Sequence, residues 1–135
     1  MHYLADTNVW IHYLKSRNSF VEAKLRSIHA NEIAICSLIK AELYHGALKY
    51  GNSERRQAIV AETLAPYVSL PFDDLAATHY ADIRHSLELS GSLIGSHDLL
   101  IASIARSRGL VVATGNVDEF ARVPGLVVED WTSQG

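Results

Sequence analysis

Short apolar runs alternate with amphipathic stretches along this chain. His2–Ala5 predicts a first strand, Glu32–Cys36 a second, Tyr67–Leu70 a third, Leu110–Ala113 a fourth and Leu126–Val128 a fifth. Between them, apolar positions recur at helical spacing. Thr7–Lys15 predicts a helix with Val9, Trp10, Tyr13 and Leu14 on one stripe, and Phe20–Ala30 another carrying Val21, Leu25 and Ile28. Ser37 suits the N-cap of a helix reaching about Tyr50, where Gly51-Asn52-Ser53 breaks it. A helix from Glu54 to about Leu64 follows and ends before Pro66. A long helix is expected from Asp73 or Asp74 to about Leu89, and a last one is capped by Ser96 and closed by Gly109. Gly115 and Pro124 frame a short turn or helix, and Thr132–Gly135 is expected to fray.

Strands alternating with helices predict an α/β fold, a parallel sheet of about five short strands flanked by helices on both faces. The 135 residues suit a single domain spanning 1–135, and a hydrophobic fraction of 48% with 20% charged residues is that of an ordinary globular protein. The one cysteine, Cys36, rules out an intramolecular disulfide; following Ile33-Ala34-Ile35, it reads as a core thiol rather than a nucleophile. No apolar run is long enough to span a bilayer. The opening Met1-His2-Tyr3-Leu4-Ala5-Asp6 meets an acid too early for a signal peptide, so a cytoplasmic protein is expected. The formal net charge of −3 argues against indiscriminate nucleic-acid binding unless cations cluster. Lys49 with Arg55 and Arg56, and Arg106 with Arg108, are the candidate clusters, with solvated helix ends as the alternative for each.

Polar residues recur where an α/β sheet places its ligands, beyond the carboxyl ends of the strands. Asp6 follows the first strand directly, and Thr114 and Asn116 follow the fourth. Glu42 lies in a helix apolar on most sides, Leu38-Ile39-Lys40-Ala41-Glu42-Leu43-Tyr44, where a carboxylate needs a partner. Gly46 stands one turn later and costs about 1 kcal/mol relative to alanine, which close approach by another group would explain. Asp98 sits in the first turn of an apolar helix that Ser96 already caps. Each acid alone has a structural explanation, such as Asp6 capping a helix. Together they would repel: two like charges about 4 Å apart cost about 4 kcal/mol at an effective dielectric near 20, and a proton or a cation must relieve that. Oxygen-only ligands favour Mg²⁺ or Mn²⁺, which suits phosphate-ester chemistry.

At this point the sequence resembles a PIN domain, and more narrowly the VapC toxin branch of that family, over nearly its whole length. The resemblance rests on four blocks in order: Leu4-Ala5-Asp6-Thr7-Asn8; Cys36 through Gly46; Ile94-Gly95-Ser96-His97-Asp98 through Ala102; and Ala105 through Gly109 with Thr114 through Phe120. It implies a PIN-like three-layer sandwich and a metal-dependent endoribonuclease, the toxin of a type II toxin–antitoxin pair. Asp6, Glu42 and Asp98 would hold Mg²⁺ or Mn²⁺, with Thr7 and Ser37 nearby. Asn116 stands where many relatives carry a fourth acid, and Asp118 or Glu119 are candidates to supply the missing charge. The implied reaction is in-line hydrolysis of RNA leaving 5′-phosphate and 3′-hydroxyl ends. The closing stretch Asn116–Trp131 is similar to VapC proteins that cut the anticodon loop of initiator tRNA, which names that loop as a candidate substrate. The branch also implies a homodimer and a VapB-like antitoxin whose tail enters a groove between the N-terminal helices. Trp10, Tyr13, Leu14 and Leu48 are the candidate groove residues, with core packing as the alternative.

Two other readings compete. An aspartyl-phosphate phosphatase would use Asp6 as nucleophile, but its usual second aspartate is replaced by Asn8. A catalytically degenerate PIN domain serving as an interaction module would fit the lost fourth acid but not the retained Asp6, Glu42 and Asp98. The seven histidines show no compact ligand spacing with cysteine, so zinc is not expected; His45 and His97 stand nearest the acids.

Overall fold

The computed structural model describes residues 1–16 and 19–133. Its strands are Tyr3–Ala5 (β1), Ile33–Cys36 (β2), Val68–Leu70 (β3), Val111–Thr114 (β4) and Val128–Asp130 (β5). The helices are Thr7–Ile11 (α1), Ser19–Ser27 (α2), Ser37–Leu48 (α3), Ser53–Leu64 (α4), Asp74–Leu89 (α5), Ser96–Ser107 (α6) and Val117–Phe120 (α7). The five strands form one all-parallel sheet in the order β3-β2-β1-β4-β5. This is the α/β arrangement expected from the sequence.

Every residue of β2 and β4 is buried, as a parallel sheet covered on both faces requires. Leu4, Ile35 and Val112 form the middle of the core, with Ile39 of α3, Ile83 of α5 and Ile101 of α6 packed against it. Each such side chain contributes about 1.5–3 kcal/mol by leaving water. Helices α3 and α4 pack together, as do α5 and α6. From β1 the chain winds outward through β2 to β3, then returns to add β4 and β5 on the other side. The reversal leaves a crevice beyond the carboxyl ends of β1 and β4, where an open α/β sheet binds its ligands.

Several local expectations need correction. The first helix stays α-helical only to Ile11, and His12–Ser16 continue as a wider π-turn. Ser37 and Ser96 are not caps. Cys36 and Gly95 occupy those positions without a side-chain cap bond, because strand or extended loop runs straight into the helix. Helix α2 ends at Ser27, and Ala30–Glu32 form a 3₁₀ turn instead of its last turn. Strand β5 begins two residues later than its apolar run suggests. Thr132 and Ser133 do not fray: Asp130 Oδ1 accepts the Thr132 N–H at 2.8 Å, and its Oδ2 accepts the Ser133 hydroxyl at 2.7 Å. The rest of that stretch, residues 134–135, lies outside the described residues. Asp73 does cap α5, accepting the Ala76 N–H at 2.9 Å. Among the described residues, no helix is long and apolar enough to cross a membrane.

Candidate active site

Strand β1 ends at Ala5, and Asp6 turns at once into the N-cap of α1. One carboxylate oxygen accepts the Thr7 N–H at 2.7 Å, and the other accepts the Thr114 hydroxyl at 2.9 Å. Asp6 is only 3% exposed. Burial pushes its carboxyl up to about 6 against the downward pull of those two bonds, and the Glu42 charge adds to the rise.

From Asp6 two branches spread over the ends of the central strands. On the α3 side, the Thr7 hydroxyl donates to Glu42 Oε1 at 3.0 Å, and His97 Nδ1 lies 3.0 Å from that same oxygen. On the α6 side, Asn116 Nδ2 donates to Asp98 Oδ2 at 2.8 Å and to Glu119 Oε2 at 2.9 Å. Asp98 is pushed up to about 7, first by burial, then by its bond to Glu119 and by the charges of Asp6 and Glu119. Glu119 is held below its ordinary range by the Asp98 and Asn116 bonds. In this pair Asp98 keeps the proton and Glu119 the charge.

The turn after β4 is built to hold these groups. Thr114 is fully buried, and its hydroxyl accepts the Asn116 N–H at 2.9 Å while donating to Asp6. Asn8 Oδ1 accepts the Gly115 N–H at 2.9 Å, pinning the turn to α1.

The expected acids therefore meet around one centre. Asp6 lies within electrostatic reach of both Glu42 and Asp98. Of the two alternatives for a further charge, Glu119 joins the centre, whereas Asp118 is exposed. Ser37 is also exposed, on the first turn of α3. Asn8 is a residue the sequence reading uses only to argue against a phosphatase. Its position two residues after Asp6, opposite a Gly after β4, is the signal that could have found it. Burial pushes the Cys36 thiol up to about 11, which leaves it inert as a nucleophile.

A profile of the PIN domain matches residues 3–126. The chain belongs to the PIN-domain family. This PIN domain is 36% identical over 129 residues to a tRNA(fMet)-specific endonuclease VapC of Salmonella typhimurium, covering 96% of this chain and 97% of that one. It is 35% identical over 129 residues to ribonuclease VapC2 of Haemophilus influenzae, with 96% and 97% covered. Its fold matches a chain of VapBC2 from Rickettsia felis, solved bound to a DNA fragment from their promoter, with TM-score 0.90, 32% identity and 97% and 99% coverage.

Beside the acidic centre the PIN domain carries an apolar groove of about 150 Å³, with Ile11, Leu14, Leu43, Ala47, Ile59 and Val60 along it. Leu14 lines it as expected. Trp10 does not: it is fully buried, its Nε1 donates to the Ala5 carbonyl at 3.1 Å, and its ring packs on Tyr67. Tyr13 packs edge-on against Trp10, and Leu48 lies 58% exposed beyond the groove wall. The π-turn from His12 breaks the stripe that Trp10, Tyr13 and Leu14 would share on a regular helix, so the three side chains meet different surroundings. Helix α3 is apolar on most sides, as expected, but only Ile39, Leu43 and Ala47 are buried, with Leu38 and Tyr44 partly covered by the core. A side chain at Gly46 would meet nothing within 4 Å, so no close approach explains this glycine, which instead borders the groove.

Proposed function

We propose that this chain is a divalent-cation-dependent endoribonuclease, the toxin of a toxin–antitoxin pair, acting through Asp6, Glu42, Asp98 and the Asn116–Glu119 pair. The observation that carries this reading is the convergence of buried and half-buried acids beyond the ends of β1 and β4. There Asp6 and Asp98 are both pushed toward neutrality, first by burial and then by the neighbouring carboxylates. The ribonuclease names of the Salmonella and Haemophilus relatives support the activity.

The donor set fits a hard cation. It is all oxygen, and Mg²⁺ is commonly held by one or two carboxylates, with water and substrate phosphate completing its shell. Among the described residues, no group of three or more His, Cys, Asp or Glu side chains is arranged to hold a metal ion by itself. Asp6 and Asp98 are the residues that would hold it, with Glu42 and Glu119 at the flanks. When bound, the cation supplies charge neutralisation at the phosphoryl group and acidifies water.

The chain's own groups have distinct parts. The Thr114 hydroxyl and the Thr7 N–H fix both oxygens of Asp6. Thr7 and His97 both engage one oxygen of Glu42, which restricts the carboxylate's rotation. Asn116 donates to both Asp98 and Glu119, which draws the two carboxyl groups together and favours their charged forms. Asp98 is the group that would have to give up its proton to hold a cation, as ligation by a carboxylate requires.

Initiator tRNA is the substrate we propose, on the strength of the Salmonella relative's name. A VapB-like antitoxin is the proposed partner, supported by the VapBC2 pair from Rickettsia felis, and the apolar groove is where its tail would lie. Incubating the purified chain with total RNA and Mg²⁺ or Mn²⁺, beside Asp6→Asn, tests the activity. Discrete fragments that need metal and vanish in the variant are expected, with end-mapping naming the RNA. No cleavage under either metal would favour a degenerate domain that serves as an interaction module.

A further inference from the structure

Two basic clusters stand out in the sequence, and the structure separates them. Arg106 is tied to Asp82 Oδ2, His79 Nδ1 and the Pro124 carbonyl, and Arg108 to Asp73. That cluster is engaged in holding α5, α6 and the closing loop together. The other is not. Lys15 Nζ lies 5.1 Å from the Tyr50 ring centre and the Arg56 guanidinium 5.4 Å from it, so α1's extension and α4 meet on one exposed aromatic. Among the described residues, neither these two cations nor Lys49 has a carboxylate partner, and Arg56 donates only to the Gly51 carbonyl.

Lys15, Lys49 and Tyr50 line a cleft of about 350 Å³ whose other wall includes Thr7, Glu42 and His97. The cleft is thus shared between the cationic cluster and the α3 branch of the acidic centre. In a chain of net charge −3, Lys15 and Lys49 bring unpaired positive charge to the Glu42 side of the acids, as Arg122 does on the Glu119 side. A polyanion reaching the acidic centre across this side meets cations first. Cations arranged on an exposed ring are also the combination that single-stranded nucleic acids use, phosphate to the charges and base to the π-face.

We infer that Lys15, Lys49 and Arg56, gathered about Tyr50, form a strand-binding subsite that grips the backbone of single-stranded RNA next to the scissile phosphate. The inference rests on the nuclease reading for the strand's course into the acidic centre. The subsite itself recognises phosphate and a stacked base whether or not cutting follows.

The test is binding of a fluorescein-labelled single-stranded RNA by the full chain in EDTA, followed by anisotropy over a series of salt concentrations. Lys15→Gln, Lys49→Gln and Arg56→Gln are compared with Arg26→Gln, which removes an exposed cation on α2. Each cluster variant is expected to weaken binding about three- to tenfold and to lower the salt slope by about 0.7, the value for one lost contact to a single strand. Tyr50→Ala should weaken binding with the slope unchanged, and Arg26→Gln should match the parent. Equal affinity and slope in all variants would overturn the inference. So would unchanged RNA binding with lost affinity for a co-purified protein partner, which would make the patch a protein-docking rim. If the parent chain binds RNA through these residues yet cuts none with Mg²⁺ or Mn²⁺, the nuclease reading falls and the subsite stands.

Discussion

The Thr114 hydroxyl donates a 2.9 Å hydrogen bond to Asp6 Oδ2, joining the ends of the two central strands β1 and β4. Both residues are buried, so the bond has no water to replace it. Thr114→Val leaves a buried carboxylate oxygen and the Asn116 N–H without their partner, at a cost of about 1–3 kcal/mol. A lower midpoint in urea and a higher cation requirement for cleavage are expected, with Thr114→Ser close to the parent. A valine variant as stable as the parent would show that Asp6 is held by other means.

Asp6 and Asp98, ordinarily near 3.8, are raised to about 6 and about 7 by burial and like charge. A raised carboxyl favours the folded state fully only below its unfolded value, and that contribution is lost as pH climbs through the folded value. Cation-free protein should therefore lose thermal stability between about pH 4 and pH 7, for Asp6 by at most about 3 kcal/mol. Mg²⁺ should restore more at pH 8 than at pH 5. In Asp6→Asn the decline should shrink, and scanning calorimetry of both proteins across that range would read it. A parallel decline in the two would remove Asp6 as its source.

Asn116 sits between two acids that share one proton. Asn116→Asp adds a third negative group there. Without a divalent cation, the variant should melt lower than the parent at pH 8, and Mn²⁺ should raise its melting temperature by more than the parent's. Equal responses to Mn²⁺ would place residue 116 outside the reach of the cation.

Two glycines make an opposed pair. A Cβ at Gly115 would stand 2.6 Å from Thr132 Oγ1 and 2.9 Å from its Cγ2, so Gly115→Ala must displace β5's end or the turn that carries Thr114 and Asn116. A loss of about 1–3 kcal/mol is expected. Gly46→Ala meets nothing within 4 Å and should gain about 0.5–1 kcal/mol of helix stability. Urea unfolding of the two variants side by side would decide whether the signs differ.

Much of the centre was legible in the sequence, because an acid or Thr directly after a strand in an alternating α/β pattern has a fixed address. Asp6 and Thr114 followed from that rule alone. Glu119 did not. The stretch between Gly115 and Pro124 reads equally as a turn or a helix, and only as α7 does it set Asn116 and Glu119 three residues apart on one face. The stripe of Trp10, Tyr13 and Leu14 was less legible for a related reason: a regular 3.6-residue period does not hold across the π-turn at His12–Ser16, which propensity does not announce. The caps failed at Ser37 and Ser96 because the rule seeks a polar residue before an apolar run, whereas here extended backbone enters each helix directly.

Asp6 and Thr114 are separated by 108 positions along the chain. Chains emerge from synthesis N-terminus first, so Asp6 precedes its partner by those 108 residues before β4 can add beside β1. Pairing of such distant segments is also slow to form. The acidic centre is thus among the last parts of the molecule to be assembled, and a half-made chain still attached to its ribosome has no finished blade. Any chain that stops short of β4 lacks the hydroxyl that holds Asp6 in place.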